Sequence, residues 1–182
     1  MRNRIFNDKK LVIASHNQGK IREIRELLGP LNINILSAYE LGIEEPEENG
    51  KTFEENALIK SKFVSKKTQL PCISDDSGIC FTDLNNKPGI YSARLAREKG
   101  SFYKAMKYIL KRMKKVKKRN ATFVCSLSYK KENGKIITVE GKIEGNISNK
   151  IKGKIGTFSF KNGKVTQDLD IYKTDNNKFT KF

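Results

Sequence analysis

Three absences in the sequence limit what this protein can be. It has a single histidine, His16, so a histidine dyad and a histidine-rich zinc site are both excluded. Its three cysteines stand apart with no Cys-x-x-Cys pair, and we expect reduced, buried thiols with a structural role. No apolar run approaches the roughly 18 residues of a membrane span, and the N-terminus lacks the apolar stretch of a signal peptide. These absences predict no membrane association and a cytoplasmic location.

Positive charge is what the sequence has in excess. Its 182 residues, enough for one domain with a real core, include 37 Lys and Arg against 20 Asp and Glu, for a net charge of +17. Such a surplus favours polyanionic partners: nucleic acid, an acidic membrane surface or phosphorylated small molecules. A solvated basic surface is the alternative, and charge alone does not choose between them.

Helical and strand patterns alternate along the chain, which predicts an α/β protein with a mixed sheet. Strands are expected at 10–15, 33–37, 70–74, 79–84, 121–129 and 135–145, and helices at 18–28, 53–67 and 101–118. Thr52 and Glu55 form a capping-box pattern at the start of the second helix. Asn133-Gly134, in the Glu132-Asn133-Gly134 turn, predicts a hairpin between the last two strands. The third helix has an apolar stripe formed by Phe102, Met106, Ile109, Met113 and Val116.

The turn from Ser15 to Lys20 links the first strand to the first helix. A polar turn with a glycine and a lysine before a helix is suited to phosphate, since the first amides of a helix favour an anion. It is not a GxxxxGK[ST] loop, because it has one glycine and no hydroxyl after Lys20. Alternatively, Asn17 only caps the helix and Lys20 is solvated. His16 is interpreted as a turn residue rather than a catalytic one.

A pair of adjacent carboxylates, Asp75 and Asp76, precedes Ser77-Gly78 between two apolar stretches. Like charges so close repel each other, and a divalent cation relieves the repulsion. Mg²⁺ commonly binds through one or two carboxylates together with substrate phosphates. The alternative is a turn in which both aspartates accept bonds from backbone amides.

Two further polar clusters flank the second helix. The loop 44–50 has four glutamates in a basic protein, which suits either a second metal contact or a surface turn. Asn56 and Lys60 are four residues apart on one helix face, where Lys60 could reach a phosphate or simply form an exposed polar pair.

The basic run 111–119 is the strongest nucleic-acid-like signal in the chain. It also forms one side of an amphipathic helix, and no aromatic residues interleave with its cations as stacking platforms would. We therefore interpret it as a solvated face and do not expect nucleic acid as a partner.

Four motifs together resemble those of the inosine triphosphate pyrophosphatases, house-cleaning hydrolases that act on ITP, dITP and XTP. The resemblance covers roughly residues 10–150, and its motifs are Ser15-x-Asn17-x-x-Lys20, Glu47 to Lys60, Asp75 to Gly78, and Pro88 to Arg94. It implies a long mixed central sheet flanked by helices, with two lobes and a nucleotide cleft between them. It also implies a homodimer and a Mg²⁺-dependent cut between the α- and β-phosphates, giving a monophosphate and pyrophosphate.

The resemblance also implies residue roles. Asp76 matches the catalytic, metal-binding carboxylate that orients or deprotonates water, and Lys60 matches a lysine that neutralises phosphate charge. Asp75 and Glu47 match positions that assist with the metal. The implied substrate contacts are Ser15, His16, Asn17, Gln18, Gly19, Lys20 and Ser77.

Residues 151–182 depart from the family pattern. After Gly153 to Gly156 the family has F-G-Y-D-P-x-F, whereas this chain has the segment 157–161, Thr-Phe-Ser-Phe-Lys. The segment 174–177, Thr-Asp-Asn-Asn, stands where a His-Arg pair falls in the family. Since those parts recognise the purine, we expect an active enzyme with weakened base selectivity. The alternatives are a catalytically impaired nucleotide-binding relative and a basic nucleic-acid-binding protein.

Overall fold

The chain folds into a mixed sheet with helices packed on it. The computed structural model describes residues 9–116, 119–131 and 134–146, together with the backbone of 172–175 and 178–181. Its strands are β1 (Lys10–Ile13), β2 (Asn34–Ser37), β3 (Cys72–Phe81), β4 (Lys87–Pro88), β5 (Asn120–Lys130), β6 (Ile136–Asn146), β7 (Tyr172–Asp175) and β8 (Lys178–Lys181). Its helices are α1 (Gln18–Leu28), α2 (Phe53–Thr68), α3 (Ser92–Glu98) and α4 (Phe102–Arg112), with 3₁₀ turns at Gly29–Leu31, Thr82–Leu84, Gly89–Tyr91 and Met113–Lys115. The predicted α/β class with a mixed sheet is confirmed.

The main sheet has the strand order β2-β1-β3-β5-β6, and β4 pairs with the far end of β3. β1 is parallel to both β2 and β3, whereas β5 and β6 are antiparallel to their neighbours. α1 and α2 cover opposite faces of the sheet, because Lys20 of α1 contacts Asp75 on β3 whereas Asn56 of α2 contacts the next residue, Asp76. Val64 of α2 packs with Val12 and Cys72 in the core of one face.

Capping side chains determine where α1 and α2 begin. Asn17 Oδ1 accepts from the amides of Gly19 and Lys20, and Thr52 Oγ1 accepts from the amide of Glu55. The Glu55 carboxylate accepts from the Lys51 amide at 2.5 Å, one residue before the position of a standard capping box. Both helices therefore begin where local sequence signals predict.

β3 is one continuous strand of ten residues, so the prediction of two strands separated by an acidic turn was wrong. Its register with β5 is unbroken from Cys72 opposite Lys130 to Phe81 opposite Ala121. The pairing satisfies backbone groups through the acidic segment. The carboxylates of Asp75 and Asp76 consequently project from a rigid strand instead of a loop.

The third predicted helix, 101–118, corresponds to α4 and is shorter than expected. α3 was not predicted, and α4 ends at Arg112, after which a 3₁₀ turn leads to extended backbone at Val116. The buried side of α4 and the following turn is Ala105, Ile109 and Met113, which pack near Phe81 and Ala121. Phe102 and Met106 were expected in this apolar stripe, but both side chains are exposed.

The remaining predictions for the fold have mixed outcomes. β5 and β6 pair antiparallel as the hairpin signal predicted, although Glu132 and Asn133 lie outside the described residues. The three cysteines are free, but only Cys72 is buried, and burial raises the pKa of its thiol to about 12. None of the described helices is long and apolar enough to cross a membrane. The departures at 157–161 and at 176–177 lie outside the described residues.

Candidate active site

The candidate site lies where the chain changes direction across the sheet. β1 ends at Ile13, and the Ala14 amide makes a 2.8 Å bond to the Ile73 carbonyl. β3 continues past this point, so Asp75 and Asp76 lie just beyond the carboxyl end of β1. Since β1 leads to β2 on one side and pairs with β3 on the other, this is a topological switch point, where α/β sheets bind ligands.

The turn from Ser15 to Lys20 borders this position. Asn17 caps α1, as the simpler interpretation of the turn predicted, and its own amide donates to Ser15 Oγ at 3.2 Å. His16 Nδ1 lies 3.3 Å from Glu45 Oε1, and its ring meets the edge of Tyr39. The side chain of Gln18 and the Cα of Gly19 are exposed. The turn therefore presents a mostly polar, accessible surface next to the carboxylates.

Lys20 is not solvated, because its side chain folds back onto β3. Its Nζ forms an ion pair with Asp75 and donates to Ser77 Oγ at 3.1 Å. Burial lowers the pKa of Lys20, but the carboxylate of Asp75 outweighs that effect, so the pKa is raised overall. Lys20 is therefore a fixed positive charge at the mouth of the site at any physiological pH.

Asp76 is held by α2 from the other face of β3. Asn56 Nδ2 donates to Asp76 Oδ2 at 3.1 Å, and Lys60 Nζ lies 3.8 Å from Asp76 Oδ1. Burial raises the pKa of Asp76 above its usual range, although Lys60 and Asn56 oppose the increase. Asn56 itself is fully buried, so Asn56 and Lys60 do not form an exposed pair.

The two aspartates are separated by the strand that carries them. Successive side chains of a strand point to opposite faces. Asp75 and Ser77 both contact Lys20, whereas Asp76 and Ser74 contact α2, Ser74 through the carbonyl of Ala57. Each carboxylate has its own lysine, so a shared cation is not needed to relieve their repulsion.

The acidic loop contributes Glu48 to the site. Its carboxylate lies 2.8 Å from Lys60 Nζ and 3.8 Å from Arg94, and Arg94 also donates to the Glu48 carbonyl. The side chain of Glu47, the predicted metal ligand, is exposed. The loop is joined to Asp76 through Asn56, whose Oδ1 accepts from the Gly50 amide at 2.9 Å.

Glycine is required at two positions for this packing. A Cβ at Gly78 would lie 2.4 Å from the carbonyl oxygen of Gly89 and 2.6 Å from Ser92 Oγ. A Cβ at Gly50 would lie 2.6 Å from Asn56 Oδ1. The first contact brings the segment that carries Arg94 against β3, and the second brings the acidic loop against α2.

The charges of the site balance. Asp75, Asp76 and Glu48 are matched by Lys20, Lys60 and Arg94, three of each sign. Among the described residues, no group of three or more His, Cys, Asp or Glu side chains is placed to hold a metal ion. The carboxylates therefore do not form a closed metal cage, and a cation held here would share its ligands with phosphate.

Sequence reasoning did not assign a site role to Asn56, Glu48 or Arg94. The spacing of Asn56 and Lys60 was a usable signal, since both lie on the α2 face that turns towards Asp76. Arg94 lay in a recognised motif, but its partner Glu48 is far from it in sequence. Nothing in the sequence distinguishes Glu48 from the adjacent Glu47.

The fold and the site define an α/β protein with a polar cluster of carboxylates and lysines at the sheet's switch point. Comparison with known proteins identifies it further: the chain belongs to the Ham1 family, whose model matches residues 11–162. It is 47% identical over 142 residues to the dITP/XTP pyrophosphatase of Zymomonas mobilis, covering 76% of this chain and 68% of that protein. It is 38% identical over 165 residues to the dITP/XTP pyrophosphatase of Bacillus subtilis, covering 89% and 83%. The solved HAM1 protein of Coxiella burnetii aligns with a TM-score of 0.75 at 33% identity, over 82% of this chain and 78% of that one.

Proposed function

We propose that this protein is a nucleoside triphosphate pyrophosphatase that hydrolyses ITP, dITP and XTP to the monophosphate and pyrophosphate. The observation that carries the proposal is Asp76, a buried carboxylate held by Asn56 and Lys60 beside the turn that contains Lys20. The names of the relatives supply the substrate class. A mechanism without histidine must depend on such a carboxylate.

Asp76 is the base that activates water. Because burial raises the pKa of Asp76, its carboxylate takes up a proton more readily than a solvated aspartate does. The water oxygen bonds to the α-phosphorus of the nucleotide as a proton of that water moves to an Asp76 oxygen. The phosphoanhydride bond between the α- and β-phosphates breaks, and its electron pair leaves with pyrophosphate.

Lys20 and Lys60 receive the phosphates. Both now contact carboxylates, Lys20 with Asp75 and Lys60 with Glu48, so a triphosphate competes for lysines that are already positioned. Phosphoryl transfer depends chiefly on positioned cations and an in-line water, which this arrangement supplies. The remaining substrate contacts, in the turn from Ser15 to Lys20 and at Ser77, are proposed from the family resemblance.

The balanced charges are the reason to include Mg²⁺. A site with three cations and three carboxylates leaves the charge of a triphosphate uncompensated, and a divalent cation corrects the deficit. Asp76 and Glu48 of the acidic loop, which both contact Lys60, would hold the ion, whereas Asp75 lies on the opposite face of β3 with Lys20. When bound, it supplies positive charge to the phosphate oxygens.

Two matched variants test which glutamate of the acidic loop contributes to Mg²⁺ binding. We expect Glu48→Gln to raise the Mg²⁺ concentration needed for half-maximal turnover and to lower the affinity for Mg²⁺ measured by calorimetry. Glu47→Gln, a neighbour with the same change of charge, is expected to resemble the parent. The reverse result would assign the metal contact to Glu47, as the family resemblance implies.

A turnover screen tests the function itself. Pyrophosphate release is measured with ITP, XTP, dITP, ATP and GTP under Mg²⁺, with Asp76→Asn as the control for contaminating activity. Release from ITP or XTP that disappears in the control is expected. Nucleotide binding without release would instead indicate an impaired binding relative, and the activity proposed here would be rejected.

Three finer features belong to the same proposal. Base selectivity is weak, because the family's purine-recognising segments have no match at 157–161 and 174–177. The protein acts as a homodimer, an expectation that rests on the family resemblance. It works in the cytoplasm, where the nucleotide pool is found.

A further inference from the structure

One stretch of the chain combines dense positive charge with no negative charge. From Lys99 to Arg119 the sequence has ten Lys and Arg and no Asp or Glu. Four of these cations, Lys104, Lys107, Lys111 and Arg112, are exposed on α4. Within the described residues, no carboxylate lies within ion-pairing distance of these four, so their charge is not neutralised by the protein.

Aromatic rings lie beside the cations of α4, although none interleaves with the basic run 111–119 itself. Residues four apart are neighbours on a helix, which aligns Tyr103 with Lys107 and Tyr108 with Arg112. Lys107 Nζ lies 4.4 Å from the centroid of the Tyr103 ring. Arg112 stacks 5.7 Å from the centroid of Tyr108 and donates to its hydroxyl at 3.0 Å. Tyr103 therefore lies beside a cation on the outer face of α4, whereas Tyr108 also packs against the core cluster that contains Ile109 and Met113.

The start of this face is also unusually apolar for an exposed surface. Phe102, Tyr103 and Met106 are 56%, 50% and 37% exposed. The core side of the helix is already filled by Ala105 and Ile109, so these side chains are not a displaced core stripe. They are free to stack on a ligand.

Three kinds of partner could cover this surface: a second copy of the chain, a lipid bilayer or a single-stranded nucleic acid. The distribution of charge and apolar side chains distinguishes among them. A second copy of this chain would bring a second set of unpaired cations against the first. A bilayer-binding helix needs a broad continuous apolar face, whereas the exposed apolar side chains here are confined to the start of α4 and cations cover the rest of its outward face. Proteins bind single-stranded nucleic acid through aromatic rings that stack on the bases and cations that contact the phosphate backbone, and this surface has both.

We propose that the outer face of α4 binds single-stranded nucleic acid without sequence preference. The cations contact phosphates, and Tyr103 and Phe102 stack on bases. This surface is separate from the carboxylate site, so the proposal goes beyond hydrolysis and does not depend on it.

The test is fluorescence anisotropy of a labelled oligothymidylate of about 20 nucleotides with the full chain, between roughly 50 and 300 mM KCl. The double variant Lys107→Glu/Lys111→Glu should lose at least about tenfold in affinity and lower the salt slope by about 1.4, since each phosphate contact contributes about 0.7. Tyr103→Ala should weaken binding of the oligonucleotide about 5- to 100-fold. It should leave binding of inorganic polyphosphate unchanged, because polyphosphate has no bases.

A matched control removes the effect of net charge. Lys62→Glu/Lys66→Glu makes the same charge change at the same spacing on the exposed side of α2, and should bind within about threefold of the parent. Unchanged ITP hydrolysis by the α4 variant would show that it folds. Equal losses from the two double variants would overturn the proposal. It would equally be overturned by no loss in Tyr103→Ala, or by binding to phosphatidylglycerol vesicles without binding to the oligonucleotide.

Discussion

Replacing Asn56 by alanine tests whether the acidic loop and Asp76, the proposed base, act as one unit. The fully buried amide of Asn56 donates to Asp76 Oδ2 at 3.1 Å and accepts from the Gly50 amide at 2.9 Å. Alanine removes both bonds and leaves a buried carboxylate with one fewer donor. The change should therefore affect stability and the protonation of Asp76 together.

The structure gives the expected size of the stability loss. A hydrogen bond to a charged group contributes about 1.5–3 kcal/mol and a neutral one about 0.5–1.5 kcal/mol. Asn56→Ala should thus lower the free energy of unfolding in urea by about 2–4.5 kcal/mol. At roughly 2–4 °C per kcal/mol for a domain of this size, Tm should fall by roughly 4–18 °C.

The pH dependence of activity gives the second readout. The bond from Asn56 lowers the pKa of Asp76, so its removal raises that pKa further above the usual range. A base must be ionised, so activity is lost as pH falls through this pKa. The acid limb of kcat/KM should therefore move to higher pH in the variant.

Ser61→Ala is the matched control on the same helix. Ser61 is also fully buried, but its hydroxyl bonds to the Ser128 hydroxyl at 2.8 Å, away from Asp76. It should lose stability without a shift of the pH profile. If Asn56→Ala kept the parent's acid limb and lost less than about 1 kcal/mol, the coupling inferred from these two bonds would be wrong.

Four other outcomes are expected. Asp76→Asn should abolish pyrophosphate release and leave the circular dichroism spectrum unchanged; turnover within a few-fold of the parent would contradict its role as base. Gly78→Ala should cost about 1–3 kcal/mol or more in urea unfolding, because its Cβ would lie 2.4 Å from a backbone oxygen; a neutral effect would mean that the segment from Gly89 can move away freely. Light scattering should report twice the chain mass of 20.8 kDa, and a value equal to one chain would exclude the dimer. The kcat/KM values for ITP and ATP should differ by less than about a hundredfold, or roughly 2.7 kcal/mol; a larger preference would show a rebuilt purine site.

Local signals allowed α1 and α2 to be predicted from the sequence, within one residue at each end. Their beginnings depend on Asn17 and Thr52, which act on amides two or three residues away. The continuity of β3 could not be predicted in this way, because it depends on pairing with β5, about fifty residues further along the chain. The periodic stripe of α4 was misplaced because Ala105, a small residue, belongs to the buried side while Phe102 does not.

The candidate site was predictable as a set of segments but not as a set of contacts. The aspartates, the turn and Lys60 were recognised, yet their pairing depends on which face of β3 each carboxylate occupies. Adjacent residues point to opposite faces only in a strand, so the faces of Asp75 and Asp76 could not be assigned while this segment was predicted to be a turn. The sequence also could not show that Glu48, and not the adjacent Glu47, pairs with Lys60. Which glutamate faces Lys60 depends on the path of the loop, and that path depends on the bond between Gly50 and Asn56.

The carboxylates that pair with Lys20 and Lys60 also bear on how the reaction ends. If phosphates bind these lysines as proposed, the two carboxylates are tethered competitors for them. A monophosphate has less charge than a triphosphate and competes less well, so Asp75 and Glu48 should expel it. We expect weak product inhibition by the monophosphate, and substitution of Glu48 by glutamine should lower its inhibition constant. The enzyme could then keep clearing trace nucleotides while the monophosphates it releases accumulate around it.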